Sequence, residues 1–208
     1  MIAPHGRALT ISPPAHRVYR ALVDALLATG GLSDDATLAQ TTGLTVTEIH
    51  AALDALVTAD WAGRDAAGAI VTLYPFSVTP TTTIVQLADV TRYAMCAIDA
   101  LGIAPMLGQT TTIQSTCPIS GEALTLTVES DGVREYAPAT LAVLYRRAAG
   151  PAHLNRCSAT RFFRSPDDGR RWLATNGGPD DVLLAPDEGF ARGRQIFAGW
   201  YRDGRAGG

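Results

Sequence analysis

Lysine is missing from this 208-residue chain, and all 17 of its basic residues are arginine. Against 20 acidic residues they leave a formal net charge of −3, which argues against strong nonspecific affinity for nucleic acid. The absence of lysine, beside abundant Ala, Gly, Pro and Thr, reads as drift toward GC-rich codons rather than as function. Long apolar runs are also missing: none approaches the roughly 20 residues that span a bilayer, so no membrane association is expected. Residues 1–9 lack the basic region and apolar core of a signal peptide, which predicts a cytoplasmic protein. Cysteine is scarce, with Cys96, Cys117 and Cys157 alone. Their odd number and the expected compartment predict free thiols rather than disulfides, and their spacing fits no zinc ribbon or finger.

The composition is that of a globular chain, 47% hydrophobic and long enough for one substantial domain or two small ones. Residues 16–29 place Val18, Leu22, Ala25 and Leu26 on one side of a helix that stops at Gly30-Gly31. Residues 35–42 form a short second helix closed by Gly43. Thr45 with Glu48 three residues on is a capping box, which opens a third helix reaching Thr58. Residues 61–74 alternate around a turn at Ala67-Gly68 and predict a hairpin.

Three helices and a hairpin follow the order of a winged helix-turn-helix module. The third helix, however, offers Glu48, His50 and Asp54 and no arginine, whereas DNA binding draws its affinity from phosphate neutralisation. A structural or dimerising module is the better reading.

The two prolines of residues 75–83 predict a connecting or edge segment. Strands are expected over residues 110–116, 123–129, 141–147, 157–164 and 182–184, with helices around Cys96, from Ser165 and over residues 186–201. The expected class is α+β: a three-helix, winged-helix-like module over residues 1–80, then a mostly antiparallel sheet with flanking helices over residues 81–208.

Chemistry concentrates in Tyr93-Ala-Met-Cys96-Ala-Ile-Asp99-Ala-Leu. Residues three apart share a helical face, so a thiol and a carboxyl meet in almost wholly apolar surroundings. Such a pair can bind a soft metal and move a proton. Cys96 alone also fits a buried packing role, as free cysteines often do. Asp99 resists that reading better, because an acid inside an apolar helix needs a partner, Arg92 or a backbone amide being the bland alternatives. The four histidines, His5, His16, His50 and His153, form no metal-binding spacing.

The stretch around Cys96 and Asp99, Leu107-Gly-Gln-Thr, Ser115-Thr-Cys117-Pro-Ile-Ser-Gly121, Leu124-Thr-Leu-Thr-Val128, Cys157-Ser-Ala-Thr-Arg-Phe-Phe163 and Asp187-Glu-Gly-Phe190 together resemble the organomercurial (alkylmercury) lyase family. The resemblance covers most of residues 70–200 in matching order. It implies protonolysis of a carbon–mercury bond to hydrocarbon and Hg(II), with Cys96 and Cys157 as sulfur ligands and Asp99 as the proton carrier. Mercury is then substrate and product, held transiently by Cys96, Cys157 and Asp99, and no cofactor is implied. The expected partners are an organomercurial substrate and, as acceptors of Hg(II), a mercuric reductase or small thiols. Cys117 matches a cysteine that is not a catalytic ligand and is assigned to packing.

The chemistry of these residue types agrees with that implication. Soft thiolates are the best protein ligands for a soft cation. An acid in an apolar pocket has a raised pKa, so it carries a proton near neutrality. The chain departs from the family twice: Ser158 stands where a second cysteine often follows, and Met95 where an aromatic residue commonly precedes the first. These departures motivate one alternative, a lyase fold turned to other thiol or acid–base chemistry in a biosynthetic pathway. A thiol-based metal sensor using the winged-helix module is another.

Overall fold

The computed structural model describes residues 10–147 and 152–204. Residues 1–9, on which the signal-peptide reading falls, and with them His5, lie outside the described residues, and so does the side chain of His153.

The chain opens with α1 (Pro13–Thr29), α2 (Asp35–Thr42) and α3 (Val46–Thr58). α1 begins three residues earlier than the apolar spacing predicts, because Ser12 caps it and prolines tolerate its first turn, where N–H groups have no helical partner. Thr45 and Glu48 form the expected capping box at the start of α3. A hairpin of β1 (Ala62–Arg64) and β2 (Ile70–Leu73) follows, then β3 (Phe76–Ser77), β4 (Ile84–Leu87), β5 (Val90–Ala94), α4 (Ala97–Leu107), β6 (Thr111–Thr116), β7 (Ala123–Glu129) and β8 (Gly132–Ala137). These eight strands make one antiparallel sheet in the order β1-β2-β3-β5-β4-β6-β7-β8.

The expectation of an edge or linker at residues 75–83 is overturned for Phe76 and Ser77. They are buried between β2 and β5. The prolines permit this because they flank the two-residue strand rather than occupy it, so no ladder donor is lost. The sheet also runs across residue 80, with β1, β2 and β3 before it and β4 to β8 after it.

The remaining elements are β9 (Ala142–Tyr145), α5 (Ala152–Asn155), β10 (Arg161–Phe163), α6 (Pro166–Asn176), β11 (Val182–Leu184), α7 (Pro186–Phe197) and α8 (Trp200–Asp203). β9 is the centre of a second antiparallel sheet, β10-β9-β11. The single closing helix expected over residues 186–201 is divided, since Ala198 and Gly199 separate α7 from α8.

Two packing features position the site. Trp200 of α8 stacks on Trp61 at 3.7 Å, with the Tyr19 ring edge-on at 5.1 Å, joining both ends of the chain in one aromatic cluster. α4 is apolar around its circumference and buried from Ala97 to Met106. It lies against α7 where two glycines meet: a Cβ on Gly193 would fall 2.7 Å from the Gly102 amide nitrogen and 2.8 Å from the Ile98 carbonyl oxygen.

Candidate active site

β5 delivers Cys96. Ala94 pairs with Phe76 across the sheet, the Met95 N–H donates to the Pro75 carbonyl at 3.2 Å, and the chain then turns into α4. Cys96 is the N-cap of that helix, with extended backbone, and Asp99 lies in its first turn. The pair predicted to share a helical face is therefore an N-cap and third-position pair. The spacing is the same, but the Cys96 thiol reaches forward over the helix end, donating to Asp99 Oδ2 at 3.0 Å.

Cys157 arrives from the other side of the molecule. The expectation that it opens a strand is corrected: it sits in the turn after α5, its N–H bonded to the Ala152 carbonyl at 2.8 Å, and β10 starts only at Arg161. The chain stays wound because the Ala159 and Thr160 N–H groups both return to the Arg156 carbonyl. Asp60, at the end of α3, holds this segment from outside, accepting from Arg156 at 2.8 Å and from the Ala152 N–H at 3.1 Å. Thr160 closes the gap to α4 by accepting from the Ala97 N–H at 3.3 Å.

Cys157 Sγ thereby lies 3.3 Å from Asp99 Oδ2, and it also reaches the Tyr74 hydroxyl at 3.9 Å. The two sulfurs and the carboxylate oxygen all lie within 4.8 Å of one another. Cys96 and Cys157 are each 6% exposed and Asp99 2%. Two metal–sulfur bonds of about 2.3 Å, the length in zinc thiolates, span a similar gap, so one soft ion fits between the sulfurs.

Burial drives the Cys96 thiol well above its ordinary pKa of 9.0, reinforced by its hydrogen bond with Cys157 and by the Asp99 charge. A helix N-terminus by itself favours an anion, and here burial outweighs it. Burial thus favours the protonated form of Cys96, next to a carboxylate that accepts from both thiols.

Arg92, the alternative partner for Asp99, is engaged elsewhere: it donates to the carbonyls of Leu26 and Leu27 at the C-terminus of α1. Cys117 stands apart from the cluster, buried, with its thiol 3.7 Å from Asp168 Oδ2. Burial opposes ionisation of Cys117, but hydrogen bonds from the Arg164 backbone, from Ser120 and from Ile119 outweigh it and lower its pKa.

The two sulfurs open onto a cleft of about 320 Å³, lined by Thr81, Thr83, Met95, Ser158, Thr160 and Arg161 among others. Met95 Sδ accepts a hydrogen bond from Thr72 at 3.3 Å. Tyr74, Thr160 and the Asp60–Arg156 pair were not singled out from the sequence. Their roles depend on contacts between residues distant in the chain, and no local pattern signals them.

A family model described as alkylmercury lyase matches residues 76–198, more than half the chain. This chain belongs to the alkylmercury lyase family. Among curated relatives, the alkylmercury lyase of Staphylococcus epidermidis is 30% identical over 169 residues, 80% of this chain and 76% of that protein. That of Bacillus cereus is 30% identical over 159 residues, 76% of this chain and 70% of that one. The fold is similar to the crystal structure of the mercury-bound form of MerB2, with a TM-score of 0.75 and 19% identity over 88% of this chain and 89% of that one. The lyase model spans every strand from β3 to β11 together with Cys96, Asp99 and Cys157, and begins after β2.

Proposed function

We propose that the protein cleaves carbon–mercury bonds by protonolysis, with Cys96 and Cys157 holding mercury and Asp99 moving the proton. The observation that carries this reading is that one oxygen, Asp99 Oδ2, accepts from both thiols, at 3.0 and 3.3 Å.

An organomercurial R–Hg–X enters the cleft and one cysteine sulfur bonds to mercury, displacing X. The thiol proton passes to Asp99, and X leaves with a proton once the second thiol has also given up its own. With two thiolates on mercury, electron density moves onto the carbon. Asp99 returns its proton to that carbon, the C–Hg bond breaks, and R–H departs while Hg(II) remains as the dithiolate. A positioned acid supplies a rate factor of about 10² to 10⁴ for such a transfer.

The Hg(II) then passes to small thiols or a mercuric reductase in the cytoplasm. No helix among the described residues is long and apolar enough to cross a membrane. The three helices and the hairpin before residue 80 read as a winged-helix-like structural module beside a catalytic domain over residues 81–208. α3 displays Glu48, His50 and Asp54 to solvent, and affinity for nucleic acid is not expected.

The test is incubation of the purified protein with an alkyl- or arylmercury salt and excess thiol in D₂O, with hydrocarbon measured in the headspace. The expected product is hydrocarbon carrying one deuterium. Folded protein with titratable thiols that releases none would favour other thiol chemistry on this fold.

A further inference from the structure

Among the described residues, Arg161 is the one cation in the wall of the cleft. The segment that carries it holds three arginines, and two are neutralised. Arg156 pairs with Asp60 at 2.8 Å and Arg164 with Asp168 at 3.1 Å. Arg161 instead donates through Nε and Nη2 to a single backbone oxygen, that of Ser158, at 3.1 and 2.8 Å. Among the described residues no carboxylate pairs with it, and Nη1 makes no hydrogen bond. The rest of the wall is largely hydroxyl-bearing, with Thr81, Thr83, Ser115, Thr116 and Ser158 beside Met95 and Phe162.

Polar and apolar groups share this wall about equally, so a purely apolar organic group leaves the polar half without a partner. Hydroxyls and an arginine shed water at a cost unless the ligand replaces those hydrogen bonds. A guanidinium held rigid by two bonds to one carbonyl keeps its remaining N–H groups ready for an anion, and a carboxylate matches that geometry. We propose that Arg161 selects organomercurials that bring a carboxylate into the cleft, so that the preferred substrate is an acid-bearing mercurial rather than a simple alkylmercury. The proposal rests on the lyase reading for its site. The carboxylate has two sources, the organic group itself or the thiol that accompanies mercury into the site, and the recognising chemistry is the same for both.

The experiment compares 4-(hydroxymercuri)benzoate with phenylmercury, each presented with 2-mercaptoethanol or with 3-mercaptopropionate. Wild type, Arg161→Gln and Arg161→Lys are assayed by kcat/KM for hydrocarbon release, and by calorimetric affinity before turnover. Arg161→Gln is expected to lower the ratio of carboxylated to uncharged substrate about tenfold, chiefly through KM, the scale of a hydrogen bond to a charged group. Arg161→Lys recovers part of that ratio. A ratio that falls for the ring acid assigns the carboxylate to the organic group; one that falls for the acidic thiol assigns it to the thiol. Ratios unchanged in Arg161→Gln for both sources would overturn the proposal, leaving Arg161 as a brace for the Cys157 turn. Protein that binds these compounds without cleaving them would defeat the lyase reading, while the affinity ratios still decide the role of Arg161.

Discussion

Cys157 Sγ lies 3.3 Å from Asp99 Oδ2, although 58 residues separate them in the chain. The same oxygen takes the Cys96 thiol at 3.0 Å, so a single carboxylate serves sulfurs from two unconnected segments. A carboxylate in that position can collect a proton from a thiol and hold it beside a metal-bound carbon, and those two acts separate in experiment.

Asp99→Asn keeps the size of the side chain and removes its ability to carry the proton. Hg(II) affinity is expected to change little, because both sulfurs remain. Hydrocarbon release in a single turnover falls by about 10² to 10⁴, the usual worth of a positioned acid. Loss of binding and release together would assign Asp99 to structure.

The pH dependence of stability follows from Cys96. Burial raises its pKa in the folded protein above the ordinary 9.0, so as pH rises the unfolded chain gives up that proton first. The folded state then loses stability above about pH 9. Denaturant midpoints are expected to fall more steeply above that pH in wild type than in Cys96→Ala. Parallel curves would contradict the assignment.

Asp60 acts on Cys157 at a distance, through Arg156 and the start of α5. Their side chains are 13% and 8% exposed. Asp60→Ala leaves a buried guanidinium and the Ala152 N–H without this carboxylate, at about 3 to 5 kcal/mol for a broken buried pair. Chemical denaturation checks the stability. Asp60→Asn, which can still accept from Ala152, is expected to recover part of it, and its mercury affinity reports whether the Cys157 turn has moved.

Much of this architecture is local and could be read from the chain. The α3 start is written in Thr45 and Glu48, the β1–β2 hairpin in alternation around Gly68, and the Cys96–Asp99 pairing in their spacing. β3 escapes because two residues between prolines carry no period, and the β4–β5 hairpin because its turn, Ala88-Asp89, carries no glycine to mark it, Ala88 taking the left-handed conformation itself. Cys157 was identified only through family resemblance. Its place beside Asp99 depends on Asp60, Thr160 and the sheet, and none of those contacts leaves a mark near residue 157. For the same reason the sequence around it reads as a strand.

Packing between α4 and α7 sets the position of the whole cluster. Gly193→Ala brings a methyl within 2.7 Å of the Gly102 amide nitrogen and 2.8 Å of the Ile98 carbonyl, backbone atoms that cannot turn aside. A loss of about 1 to 3 kcal/mol is expected, the range for overpacking, measured by urea unfolding. A neutral or stabilised variant would show that α7 can lift off α4 without cost.

The central claim is that two particular sulfurs and no others hold the metal while the bond breaks. Its most direct measurement is single-turnover hydrocarbon release from one organomercurial by Cys96→Ser, Cys157→Ser and Cys117→Ser beside wild type. The first two are expected to fall at least a hundredfold, and Cys117→Ser to stay within a few-fold, since its thiol lies outside the cluster. Wild-type rates in Cys96→Ser or Cys157→Ser, or a loss confined to Cys117→Ser, would contradict the account.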